Sequence, residues 1–130
     1  MEQELSFIEK RGLSKKETFE FYINIGDKPS EILLKMGFNA DTPYEQLCSC
    51  IGILNEEWWP NWENENECKW CNYWAMKGGF SCYNTIIYGT GTIVPSALCL
   101  KDETTAKLAK SLLLDLYEKV YTTKPNFMSK

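Results

Sequence analysis

Residues 69–88 read KWCNYWAMKGGFSCYNTIIY, and this stretch decides the fold. From Lys69 to Met76 the residues alternate, with Trp70, Trp74 and Met76 on one side and Cys71, Tyr73 and Ala75 on the other. That is the period of a strand. Gly78-Gly79 is a hairpin turn signal, and Phe80–Tyr88, rich in aromatic and β-branched residues, predicts a second strand. Gly89-Thr90-Gly91 makes the next turn, and Thr92–Leu100 predicts a third strand in which Pro95 requires an edge or a bulge. Tight turns between consecutive strands imply a three-stranded antiparallel meander.

Upstream, the period changes to that of helices. Ser14-Lys-Lys-Glu17 is a capping-box pattern, followed by Phe19, Tyr22 and Ile23 on one face and by Gly26 as a stop. A second short helix is predicted from Ser30 to Gly37 through Ile32, Leu33, Leu34 and Met36. Thr42-Pro43-Tyr-Glu45 combines an N-cap, a first-turn proline and a capping glutamate. Leu47, Cys50, Ile51 and Leu54 then recur at helical spacing as far as Asn55. Downstream, Asp102 caps one long helix with Ala106, Ala109, Leu113, Leu116 and Val120 on the buried stripe. The fold predicted is α+β: short N-terminal helices, a three-stranded antiparallel meander, and a long C-terminal helix packed on the sheet. One domain covers residues 1–130, divided into a helical part (1–55), an acidic-aromatic loop and sheet (56–101), the C-terminal helix (102–121) and a tail (122–130).

Composition agrees with a single folded domain. The chain has 130 residues, 44% hydrophobic and 14% aromatic, too apolar to stay disordered. No apolar run reaches the roughly 20 residues of a membrane helix. Residues 1–10 hold three glutamates and no apolar block, so no export signal is read there and a cytoplasmic location is expected. The net charge of −4 conceals an asymmetry. Between Met36 and Glu67 lie seven acidic residues and no basic one, whereas Cys68–Lys101 holds Lys69, Lys77 and Lys101 and no acid. A phosphate-backbone binder shows the opposite, a Lys/Arg-rich footprint, so nucleic acid is disfavoured as a partner.

Six cysteines and no histidine are present. Without export the thiols are expected to stay reduced. Cys68 and Cys71 have the spacing of half a zinc site, but no second pair follows, so both are read as small hydrophobes, no metal site is assigned and no cofactor is expected.

The segment Asn55–Glu67, NEEWWPNWENENE, sets three tryptophans among five glutamates. Two uses are open. In one, the rings cover the sheet edge while the acids keep the loop soluble. Alternatively they form a hot spot, because a Trp side chain buries much area in one contact and a carboxylate rim attracts cations. Paired carboxylates alone do not make a catalytic site; no nucleophile, histidine or metal set accompanies them, and no enzyme is predicted.

The run Asn55-Glu56-x-Trp58-x-Pro60-x-Trp62-x-Asn64-x-Asn66, then Lys69-Trp70, Trp74 and Gly79-Phe80, continues in Ser96-Ala97-Leu98-Cys99-Leu100-Lys101-x-Glu103. Over residues 42–121 this resembles a family of small uncharacterised proteins of Bacteroidales-type gut bacteria and their phages and mobile elements. The resemblance implies that Cys68 and Cys71 are local to this chain, and that Cys99 is a shared core residue. It also implies a mobile-element setting, in which small acidic proteins act by binding host enzymes.

The function predicted is that of a non-enzymatic protein-binding protein. It would engage a basic surface on a host nuclease or defence complex through Glu56, Glu57, Trp58, Trp59, Trp62 and Glu63. Two rivals are retained. One stacks single-stranded nucleic acid on Trp70, Tyr73, Trp74, Phe80 and Tyr83; the other is a homo-oligomeric subunit that uses the last helix or an open sheet edge.

Overall fold

The computed structural model describes residues 12–76, 80–89 and 95–123, with only the backbone given for 81–86 and 88. Five helices and one β-hairpin build it: α1 (Lys15–Asn24), α2 (Pro29–Lys35), α3 (Pro43–Leu54), β1 (Lys69–Ala75), β2 (Ser81–Tyr88), a 3₁₀ turn at Ser96–Leu98, α4 (Glu103–Leu112) and α5 (Leu114–Thr122). The architecture is mostly helical, and among the described residues the β part is a two-stranded ribbon. Among the described residues no helix is long and apolar enough to cross a membrane.

Local chemistry sets the helix ends. Ser14 and Glu17 complete the reciprocal capping box of α1. α2 starts one residue earlier than read, because Pro29 takes its first helical position and Glu31 reaches back to the Lys28 amide at 3.0 Å. The Thr42 hydroxyl accepts from the Glu45 amide at 3.1 Å to open α3, and Asp102 does the same for Thr105 at 2.7 Å to open α4. Gly26 and Gly37 end α1 and α2 with φ of +100° and +83°, a region costly for any residue with a Cβ.

Three expectations need correction. The stretch predicted as a third strand is a 3₁₀ turn at Ser96–Leu98, followed by a single bridge from Leu100 to Trp70; Thr92–Val94 lie outside the described residues. That bridge lies on β1, not on β2, so no meander forms among the described residues. Pro95, which has no N–H to give a ladder, leads the chain into the turn. The long last helix is two, broken at Leu113, whose backbone (φ −115°, ψ 18°) leaves the helical range. α4 then packs on the hairpin and α5 on α3, so one apolar stripe serves two surfaces. The Gly78-Gly79 turn and most of the tail lie outside the described residues.

The core joins Phe19 and Tyr22 of α1, Ile32 and Leu33 of α2, Leu47, Ile51 and Leu54 of α3, Trp74 of β1, Leu100, and Ala106, Ala109, Leu113 and Tyr117 of the last two helices. Each large side chain removed from water contributes about 1.5–3 kcal/mol. Two buried asparagines tie the layers together. The Asn72 amide on β1 donates to the Ala106 carbonyl in α4 at 3.0 Å. Asn55, at the end of α3, donates to the Cys99 carbonyl at 2.9 Å and accepts from the Lys101 amide at 3.0 Å. Its side chain acts as a short strand partner for the 99–101 backbone.

Candidate functional site

The acidic-aromatic segment begins where α3 ends, and that end has a definite geometry. The Glu56 amide donates to the Ile53 carbonyl at 3.0 Å and the Glu57 amide to the Gly52 carbonyl at 3.1 Å, the two bonds of a Schellman cap. Such a cap needs a left-handed residue, normally glycine. Here Glu56 (φ +54°) and Glu57 (φ +69°) both take that conformation, at about 1–2 kcal/mol each. Carboxylates at a helix C-terminus also oppose its dipole.

The chain's own lysines offset that repulsion. Lys101 Nζ lies 2.7 Å from Glu56 Oε1, with Lys16 at 3.8 Å, and Lys15 Nζ lies 2.9 Å from Glu57 Oε1. The Lys101 hydrogen bond, foremost, holds the Glu56 carboxyl below its ordinary range. Ser14, Lys15, Lys16 and Ile53 line a depression of about 250 Å³ together with the two glutamates. Glu56 and Glu57 are therefore exposed but already paired. Within this segment Glu63 and Glu65 are exposed and join no ion pair among the described residues, so they are its acids left open to a cation.

The tryptophans diverge in environment. Trp58 is half-buried, and Pro60 is buried. Trp62 is half-buried too: its indole N–H donates to Ser96 Oγ at 2.9 Å, and Lys69 Nζ stands 5.3 Å from its ring centroid. Trp59 is 64% exposed. The structure thus separates rings that the sequence sets side by side: Trp62 is engaged with the fold and Trp59 stands in water.

Beyond Trp62 the loop folds around a cation. Lys69 is fully buried, donating to the Asn64 carbonyl at 2.7 Å with Glu67 Oε1 at 3.6 Å. Glu67 also accepts from the Asn61 amide at 2.7 Å. The Asn61 and Asn64 side chains accept from the Glu63 and Asn66 amides, each at 3.0 Å, and form Asx turns. The alternating Asn-Glu sequence is thereby a set of turn-formers wrapped round one ammonium group. In the sequence Lys69 is one of three lysines in a stretch without acids; the structure makes it the centre of this loop.

The remaining candidates separate as follows. Trp74, 6% exposed, stacks on Phe80 at 4.6 Å and meets Tyr117 at 4.6 Å, so these strand aromatics belong to the core. Tyr73 is exposed, Trp70 is half-buried, and the Tyr83 side chain lies outside the described part. Cys68 is exposed and Cys71 buried, and among the described residues no three potential ligands converge as a metal site. Sequence reading missed Lys15, Lys16 and Lys101 as partners of Glu56 and Glu57. Only the Ser14-Lys15-Lys16 cap, near in space and some 40 residues distant in the chain, could have hinted at them. Compared with the models of known protein families, with curated proteins and with solved structures, the chain matches none.

Proposed function

We propose that this chain is a non-enzymatic protein-binding protein that docks on a basic host-protein surface through the segment from Glu56 to Glu65. The observation that carries this reading is Trp59, a large apolar ring 64% exposed at a position held on both sides. Before it lie the Schellman cap and its ion pairs, and after it the buried Pro60 and the loop closed on Lys69. An aromatic held in place loses little entropy on binding, which is what makes Trp effective in hot spots. Glu63 and Glu65 supply the charge complementarity that Glu56 and Glu57, paired internally, supply less of. The mobile-element setting implied by the sequence resemblance directs the proposal to a host nuclease or defence complex.

The test is a Trp59→Ala variant, which removes the exposed ring without touching the Trp62 hydrogen bond. The chain carrying a photo-crosslinker at exposed Asn66, whose side chain forms none of the loop's turn bonds, should capture a host protein with a basic surface, releasably before crosslinking by high salt. Trp59→Ala, with unchanged circular dichroism and melting, should lose that capture. Equal capture by the folded variant refutes the assignment. Salt-dependent binding of labelled oligonucleotide by the wild type would favour the single-strand rival instead.

A further inference from the structure

The hydrogen-bond directions along the hairpin show which backbone groups remain open. Trp70 and Leu100 exchange both backbone bonds, Trp70 N–H to Leu100 O at 3.0 Å and Leu100 N–H to Trp70 O at 2.7 Å. The polar groups of Trp70 therefore point away from β2. Since Trp70 lies opposite Ile87, that pair is not hydrogen-bonded, and the Ile87 N–H and C=O point to the outer edge of β2. By alternation Thr85, opposite Asn72, points outward as well, while Asn84, Ile86 and Tyr88 face β1. The register shift at Tyr73/Trp74 falls beyond Asn84 and leaves this alternation intact. Among the described residues no strand pairs with that outer edge.

We propose that the outer edge of β2 is a self-association surface, on which a second copy of this chain lays its own β2 antiparallel to make a four-stranded sheet across a twofold axis. Edge strands are usually protected by lysine, proline or inward charge. Here no charged residue occurs from Gly78 to Leu100, and Ser81–Tyr88 contains no proline. Lack of charge matters most for a self-pairing edge, because a twofold sets like charge near like charge. The composition thus fits a second copy better than a charged foreign peptide.

One further observation points the same way. Ile87, on the edge strand itself, is 51% exposed, an apolar side chain that a cross-strand neighbour on the second copy's β2 can cover. A twofold through Ile86 sets Thr85 of one copy opposite Ile87 of the other, and each such pair exchanges two N–H···O=C bonds. This surface is separate from Trp59, so neither reading depends on the other.

Sedimentation equilibrium of the full chain, from low to high micromolar concentration, should show the mass rising from 15.1 kDa to twice that value. Ile87→Lys, at an exposed side chain, and Thr85→Pro, which removes only an outward N–H, should both remain at the single-chain mass with unchanged circular dichroism. Leu34→Lys, on an equally open position of α2, should still double. Hydrogen exchange should slow at the Thr85 and Ile87 amides as concentration rises, while the Ile86 amide is protected throughout. A wild type that stays at 15.1 kDa at every concentration overturns the proposal. So does a doubled mass that Ile87→Lys leaves unaltered, or exchange at Thr85 and Ile87 that ignores concentration.

Discussion

The ammonium group of Lys69 lies 2.7 Å from the carbonyl oxygen of Asn64, fully enclosed beneath the loop that Asn64 belongs to. A cation from β1 thus closes an acidic loop from inside, with Glu67 and the face of Trp62 as its other neighbours.

Lys69→Met should accordingly free the 61–68 loop. The Asn64 carbonyl and Glu67 lose their cation, at about 2–3 kcal/mol for charge-assisted bonds of this kind. Urea unfolding would measure the loss in midpoint, and limited proteolysis should cut within the loop before any other described segment. A midpoint equal to wild type would show that the plug contributes nothing.

Asn55→Ala should be more severe than an average substitution. It deprives both the Cys99 carbonyl and the Lys101 amide of their partner, and one unsatisfied buried polar group costs about 1–3 kcal/mol. Hydrogen exchange at the Lys101 amide should accelerate in step with the fall in stability.

Glu57→Gly should stabilise the chain. Its φ of +69° is strained for a side chain and free for glycine, a gain of about 1 kcal/mol, and the exposed Lys15 ion pair that it gives up is worth little. Thermal unfolding would show a higher midpoint. If the strain serves to hold Trp59 in place, partner capture should weaken in the same variant.

The cysteines should sort by burial. Desolvation pushes the Cys50 thiol up to about 12, so it stays protonated and inert to alkylation at neutral pH, whereas exposed Cys68 reacts at once. Because the folded value is raised, the protonated Cys50 thiol supports folding fully below its unfolded value near 8.5, and that support declines as pH climbs from there toward 12. Cys50→Ala should flatten this alkaline loss of stability.

Acid should act through Asp102. Its hydrogen bonds from Thr105, side chain first, depress the folded pKa, so its contribution is complete above the unfolded value of about 3.9 and disappears as pH falls through the lower folded value. Asp102→Asn, which keeps a capping oxygen, should unfold with a shallower dependence on pH below about 4.

Much of the local structure was legible because its causes are local. Ser14, Thr42 and Asp102 announce helix starts through bonds to residues three positions on, and Leu47 to Leu54 repeat at the spacing of one buried face. The first two strands were legible for the same reason. The third was not: whether Leu100 joins β2 or β1 depends on which backbone groups are free, and the Asn55 carboxamide occupies those of Cys99 and Lys101. The break at Leu113 was also hidden, since the stripe from Ala106 to Val120 keeps its period across it. Within the candidate site, the residue types were visible and their states were not.

The order of residues by itself determined where helices start, which faces turn inward and that an acidic, tryptophan-rich segment joins α3 to the hairpin. Only the tertiary structure decided that Glu56 and Glu57 are matched by Lys101, Lys16 and Lys15, that Lys69 is interior, and that Trp59 alone of its cluster stands open. Capping and periodicity act within a turn or two of chain, but exposure and charge pairing depend on what distant segments bring alongside, and that is fixed only when the core closes.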